Sequence, residues 1–462
     1  MEINSINSEI KNNIFFKLLI YLILNFIFIY LINNNIILLN ENDLQILKNM
    51  NITLNKKIKG KIRLGIYGYC IFNGGRARIT ALLVNYLYKI KFFKIFLFTV
   101  ENKKENEYII PNDIKRCKIK NNLMKILRLN KIDILIYQLD NFKEIELLNN
   151  LNDIKVIVYH HSSTFDWIYS NYTNFKTIYR LFLESKYYVS IVPFENDYLF
   201  KKWGIKSILM NNFMTYEYNS VIHSDLTNNT ILMIGRGQAK KKRFQIGIQS
   251  MEFIIKEIVE CQMEIISDFT KIGKLMDLVN NLSLNKNIKF IGYNKNPEIY
   301  FRNASLFIFP SISEAFPMVI IESKIFGVPI ILLGLDYLSI AKGGTIIIYD
   351  DTPESISKEA IKILKNQKYK EKLGKEARHS MKKYNNQNLV IKWIELILSI
   401  YNGDQYYKQI REQNDNIAYS DLITIRYNQI KLLKMRISNF INITINDYEN
   451  FTKMENWKYL KL

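Results

Sequence analysis

The feature that most constrains this chain is a β-α rhythm that runs once and then starts again. After a polar spacer at 41–60, the composition predicts β-rich runs at Ile62–Tyr67, Lys94–Thr99, Ile132–Tyr137, Val156–Tyr159, Tyr188–Val192 and Ser207–Met210. Helical periodicity fits Ile79–Ile90 and Thr173–Leu183. The second series has strands at Thr230–Ile234, Met263–Ile266, Ile288–Ile291, Leu306–Phe309, Pro329–Leu333 and Thr345–Ile348, with helices near 244–258, Met318–Phe326, Pro353–Asn366 and Leu389–Tyr401. Strands that alternate with helices build parallel sheets covered on both faces, so the class is α/β, with two doubly wound units joined near 220–229. Open sheets of this kind bind ligands at the carboxyl ends of their strands, which places a site between the two units.

Composition narrows the function. The chain has 462 residues, of which 48% are hydrophobic and 23% charged, and only 7 Pro and 17 Gly. Disordered and collagen-like classes are excluded. The net charge of +21 suits an anionic ligand, an acidic membrane face or nucleic acid. No nucleic-acid module and no aromatic stripe accompanies it, so nucleic acid is not an expected partner. Three scattered cysteines (Cys70, Cys117, Cys261) and four histidines argue against a disulfide framework and against a cysteine or histidine metal centre.

Residues 14–32 are almost wholly apolar, with Lys17 and Asn25 the only strongly polar side chains. As a helix they would rise about 28 Å, close to the hydrocarbon thickness of a bilayer. No small-residue cleavage site follows, so an uncleaved single-pass anchor is expected within about 14–39. The lysines beyond it (Lys48, Lys56, Lys57, Lys59) favour a cytosolic body.

The chemistry-bearing residues lie at the ends of expected strands. In the stretch 310–329, PSISEAFPMVIIESKIFGVP, Glu314 is expected in the loop after a strand, with a helix beginning near Pro317. Free N–H groups of Phe316, Met318 and Val319 would then face an anion, and Pro317 has no N–H to lose. Glu322 would face the same cleft and accept from sugar or ribose hydroxyls. Gly235-Arg236-Gly237 and Lys242 open the second unit, where Arg236 offers a planar fork and Lys242 a point charge for a diphosphate. Gly74-Gly75 is a glycine turn before a helix and fits neither the P-loop nor the dinucleotide fingerprint. His160 and His161 end one strand.

These residues together resemble the retaining glycosyltransferases of the GT-B fold, family 4. Glu314 and Glu322 with Gly327-Val328-Pro329 are similar to that family's E-x7-E signature and its following G-x-P. Gly235-Arg236 with Lys242 is similar to its diphosphate-binding pair, Gly74-Gly75 to its glycine loop, and His161 to its strand-end histidine. Ala77 stands where many members carry Glu, and Ala315 where they often carry Gly, a substitution that would matter if the backbone there needed a positive φ.

The resemblance implies two Rossmann-like domains facing a cleft, at 61–222 (acceptor side) and 223–402 (nucleotide-sugar side, its last helix able to pack back on the first). A 1–60 anchor segment and a 403–462 extension flank them. It implies Glu314 and His161 as catalytic residues, and Gly75, Arg236, Lys242, Phe316, Pro317, Met318 and Glu322 as donor-binding residues. No metal or other cofactor is expected, with a nucleotide-diphosphate sugar as co-substrate. The acceptor would be a glycan, a lipid-linked molecule or a protein. A catalytically silent protein of the same fold that binds nucleotide sugars or glycans is the alternative, and it differs only in turnover.

Overall fold

The computed structural model describes residues 61–403 except for 73, 120–121, 139–152, 164–181, 183–184, 206, 236–240, 269–271, 336, 349 and 351. The expected anchor, the helix Thr173–Leu183 for the most part, Arg236 and the extension lie outside the described residues. Among the described residues no helix is long and apolar enough to cross a membrane.

The first lobe is a sheet of β1 (Ile62–Tyr67), β2 (Phe93–Thr99), β3 (Lys115–Lys118), β4 (Ile134–Gln138), β5 (Lys155–Tyr159), β6 (Tyr187–Ser190) and β7 (Ile208–Leu209), with α1 (Gly75–Tyr88), α2 (Leu123–Leu129) and α3 (Pro193–Trp203). The second contains β8 (Thr230–Ile234), β9 (Gln262–Ile266), β10 (Ile288–Ile291), β11 (Leu306–Phe309), β12 (Ile330–Leu333) and β13 (Thr345–Ile348). Its helices are α4 (Phe244–Glu257), α5 (Gly273–Asn281), α6 (Glu298–Asn303), α7 (Met318–Ile325), α8 (Leu338–Ala341), α9 (Pro353–Leu364), α10 (Gln367–Ser380) and α11 (Asn386–Asn402).

Both sheets are parallel, and both wind the same way. The spatial orders are β3-β2-β1-β4-β5-β6-β7 and β10-β9-β8-β11-β12-β13. Strands such as β4, β11 and β12 are buried along their whole length, as expected of a parallel sheet sandwiched between helices. In each sheet the winding reverses beside the first strand, between β1 and β4 and between β8 and β11. A crevice opens there because successive loops leave in opposite directions.

Among the described elements, β3, α2, α3, α5, α6, α8 and α10 escape sequence reading, and β3 and α10 show why. β3 is Lys-Arg-Cys-Lys, an edge strand with no apolar alternation, held by its pairing with β2. α10 is strongly polar, and it begins where Asn366 accepts from the Tyr369 N–H at 2.9 Å, ending the previous helix and capping the next. The G-x-P segment after α7 also finds its reason. Gly327 has φ 72°, a left-handed helix stop, and the Gly327 and Val328 N–H groups close back on the Lys324 and Ser323 carbonyls at 3.0 Å each.

The last helix returns to the first lobe. Lys155 Nζ donates to the Ile400 carbonyl at 2.5 Å and the Tyr401 carbonyl at 2.9 Å, satisfying groups that a helix end leaves open. Trp393 of α11 is fully buried, edge-on to Tyr159 at 5.1 Å. At the start of α11, the Asn386 amide accepts from Met214 N–H (2.7 Å) and donates to the Met214 carbonyl (2.9 Å) and the Tyr86 hydroxyl (2.9 Å).

Within the second lobe, Lys324 of α7 is buried, and its Nζ donates to the carbonyls of Ile340, Ala341 and Lys342 that end α8. Burial, and secondarily the charge of Lys383, pushes this amine down to about 7. The ordinary value is 10.5, so between these two the unfolded chain binds the extra proton and stability rises with pH. Melting temperatures of the parent and of Lys324→Met, compared from pH 7 to 9, should show the parent gaining on the variant as pH rises. A constant difference would refute this titration.

Candidate functional site

A cavity of about 400 Å³ lies between the carboxyl edges of the two sheets. The first lobe contributes Gly74, Gly75, Arg76, Arg78, Tyr108, His161 and Asn212 to its wall. The second contributes Gly235, Lys241 and Lys242 after β8, Ser267 and Asp268 after β9, Tyr293 and Asn294 after β10, and the run from Ser313 to Val319 with Glu322. Both reversal points of the winding therefore open onto one space. Of the residues singled out in the sequence, Gly75, His161, Lys242, Glu314, Phe316, Pro317, Met318 and Glu322 line it, together with Gly235.

The loop after β11 carries Glu314, outside any helix. Ser311 Oγ donates to Glu314 Oε1 at 2.7 Å, and Lys242 Nζ forms an ion pair with the same oxygen. The ammonium also lies 5.3 Å from the centre of the Phe309 ring. Both charged side chains are mostly buried, with exposures of 19% for Lys242 and 15% for Glu314. The two loops are tied through the backbone, since Ile312 N–H donates to the Lys241 carbonyl at 2.9 Å, and Ser311 Oγ lies 3.1 Å from the same oxygen. Gly235 makes room for the lysine. A Cβ there would come within 3.1 Å of the Lys242 stem. A cation and a carboxylate thus share the mouth of α7, where a dianionic group would compete with Glu314 for Lys242.

Pro317 is the residue before α7, in extended conformation (φ −74°, ψ 108°), and the helix starts at Met318. The expected place of Pro317 in the first turn shifts by one residue. Pro317 offers no side-chain cap, so the first N–H groups of the helix are open to a ligand. Ala315 is not among the described residues with a positive φ, so alanine is accommodated there without strain.

The two histidines part company. His160 is fully buried, with Nδ1 2.8 Å from Glu195 Oε1 and 2.7 Å from the Tyr188 hydroxyl, a polar cluster beneath the sheet edge. His161 packs on the Tyr159 ring at 4.0 Å and faces the cavity. Its Nε2 is buried and takes no hydrogen bond among the described residues. Burial, the Arg76 charge and His160 hold its imidazole well below the usual range, so it is neutral at pH 7.

Sequence reading passed over Arg78 and Tyr108. Arg78 leaves α1 of the first lobe and reaches Glu322 of α7 in the second, Nη1 to Oε1 at 2.5 Å. Glu322 is 1% exposed and Arg78 14%. Burial alone would lower the guanidinium's affinity for its proton, but Glu322 and Tyr108 outweigh that and leave it raised. One signal was available: Arg78 lies one helical turn after Gly75 and shares its face.

The glycine that the backbone requires is Gly74, with φ 98° and ψ 165°, next to α1. Gly75 is the first helical residue, and a Cβ there would meet Met318 Cγ at an ordinary 3.7 Å.

Residues 217–380 match the family model described as glycosyl transferases group 1. An uncharacterized glycosyltransferase of Methanocaldococcus jannaschii is 26% identical over 123 residues, covering 27% of this chain and 29% of that protein. The poly(glycerol-phosphate) alpha-glucosyltransferase of Bacillus subtilis is 24% identical over 159 residues, covering 34% of this chain and 24% of that protein. The chain thus spans less than a third of the length of these curated relatives. Among solved structures, sucrose-phosphate synthase from Thermosynechococcus elongatus superposes with a TM-score of 0.61 at 13% identity, covering 74% of this chain and 100% of that one. Anabaena HepE in complex with UDP and glucose gives 0.60 at 10% identity, covering 73% and 100%. These likenesses are of fold, the two-lobed GT-B arrangement.

Gly74→Ala should destabilise the protein by about 1–3 kcal/mol, the scale of a non-glycine residue held in such a conformation. Gly75→Ala should leave stability unchanged or raise it by up to about 1 kcal/mol. Denaturant midpoints check both. Equal losses in the two variants would contradict the assignment of the strained position to Gly74.

Proposed function

We propose that the chain is a membrane-anchored, retaining glycosyltransferase of family 4. It moves a sugar from a nucleotide-diphosphate donor to a glycan, lipid-linked or protein acceptor without a metal ion. The observation that carries the reading is the convergence of Lys242, Glu314, the open N–H groups of α7, and Glu322 on the interlobe cavity. The group 1 match over 217–380 supports it, and so does the fold shared with a protein solved with UDP and glucose.

In this reading the donor's diphosphate takes over Lys242 from Glu314 and is also held by Arg236 and the amides from Phe316 onward. Positive charge fixed in advance where the leaving diphosphate gains negative charge lowers the barrier and does the task of a cation. Glu314, released from Lys242, accepts from sugar hydroxyls. Glu322 binds the ribose, and the close approach of Gly75 admits the donor to the first lobe. Neutral His161, with its uncommitted Nε2, hydrogen-bonds the donor sugar. The apolar run 14–32 is the anchor, and the body faces the cytosol.

A thermal-shift panel of UDP, GDP, ADP and their sugars tests the donor. One nucleotide should raise the melting point, by mass action. With that donor, Glu314→Ala and Arg236→Ala should each reduce transfer at least ~100-fold, EDTA should not, and the product's anomeric configuration by NMR should match the donor's. Wild-type transfer in both variants would end the site assignment, and an inverted product would end the retaining one. Deleting residues 1–40 should move the protein from the membrane pellet to the soluble fraction. Persistence in the pellet would remove the anchor.

A further inference from the structure

Glu322 carries a carboxylate that is 1% exposed, and a buried charge of this kind needs a counter-charge close by. Among the described residues the counter-charge does not come from its own lobe. Arg78 supplies it from across the cleft at 2.5 Å. The arginine is itself held in place from several directions. Its guanidinium lies 5.2 Å from the Tyr108 ring centre, its Nη2 donates to the Lys295 carbonyl at 3.3 Å, and its Nη1 lies 3.5 Å from Thr215 Oγ1. Tyr108 is in the first lobe and Lys295 in the second, so the contact has support on both banks. Further bridges run alongside it: Lys295 Nζ donates to the Glu107 carbonyl, and the hydroxyls of Tyr108 and Tyr293 lie 3.4 Å apart.

The pairing uses only part of the carboxylate. Arg78 occupies Oε1, while Oε2 takes no hydrogen bond among the described residues, and Glu322 is part of the wall of the cavity. We infer that Arg78 is the positioning residue of the ribose subsite, reaching across the cleft to fix Glu322 so that its second oxygen meets the donor ribose only when the lobes are closed. The inference rests on the proposed role of Glu322 as the ribose acceptor. Its physical content is that donor recognition and lobe closure draw on a single ion pair. With the lobes apart, Glu322 loses its counter-ion and its fixed orientation, and a ribose hydroxyl finds a water-solvated carboxylate. With the lobes together, the guanidinium fixes the plane of the carboxylate and withholds one oxygen from water.

Arg78 need not touch the donor in this arrangement, so its loss should change selectivity for the ribose and leave selectivity for the base alone. The test has a ligand-free arm and a nucleotide arm. Without nucleotide, melting points of Arg78→Met, Glu322→Gln and the double variant form a cycle. The double variant should melt no lower than the worse single one, because each single change strands a buried partner. Losses that simply add would overturn the pairing. With nucleotide, calorimetry compares UDP, GDP and ADP with their 2′-deoxy forms. For whichever base binds, the parent should favour the ribonucleotide at least ~10-fold, the scale of a hydrogen bond to a charged group, and Arg78→Met should reduce that preference below ~3-fold. Arg78→Lys should restore part of it. Arg78→Gln is the substitute should Arg78→Met fail to fold. An unchanged ribose preference in the variants would overturn the positioning role. Absence of nucleotide binding in the parent would instead end the transferase reading, and the ligand-free cycle would still decide the pairing.

Discussion

Everything distinctive in this molecule follows from the direction of its strands. In both sheets every described strand pair is parallel, so all the loops that leave the carboxyl ends emerge along one edge of each sheet. A parallel sheet is buried on both faces and has no room for polar chemistry within it. The charged side chains that line the cleft lie on the edge loops and on the helices that follow them. Two such edges turned toward each other give a cleft lined from both sides by glycine turns, helix starts and charged side chains. Lys242, Glu314, Arg78 and Glu322 all sit in it because the winding leaves them nowhere better to go.

The electrostatics of the cleft are set by pairing more than by the overall charge of +21. Lys242 with Glu314 is a pair within one lobe, between two loops tied together through the Lys241 carbonyl. Arg78 with Glu322 is a pair between lobes. The first pair can part by side-chain motion alone, because its two loops stay joined through the backbone. The second pair is of another kind, because separating it means separating the lobes.

Much of this was legible in the sequence. β1, β8, β10, β11 and β13 begin and end where the apolar-rich runs do: β11 is wholly apolar, and the others carry a single polar or charged side chain each (Arg63, Thr230, Lys289, Thr345) that leaves the β-rich signal intact. The loop position of Glu314 and the helix after Pro317 follow from turn and cap chemistry that sequence also records. What stayed hidden depends on partners distant in the chain. β3 has no apolar signal because its place is given by β2. α10 is polar on most of its surface, and its buried side is small, with Gly374 passing so close to the Gly327 carbonyl that a Cβ would lie 2.5 Å from it. Arg78 reads as one cation among many in a lysine-rich chain until its partner 244 residues away is seen. The choice between Gly74 and Gly75 depends on a dihedral angle that no residue type reports when both are glycine.

The chain passes between the lobes twice, once between β7 and β8 and again between α10 and α11. Asn386, at the second passage, holds Met214, at the first, by both its N–H and its carbonyl. A body attached at one point can swivel about any axis, whereas one attached at two neighbouring points keeps mainly the rotation about the line joining them. The lobes are thus mounted like a door on paired pins. A rotation about that line would return the far rim of the cleft to the same registration, which is what a guanidinium and a carboxylate on opposite jambs would need in order to find each other again.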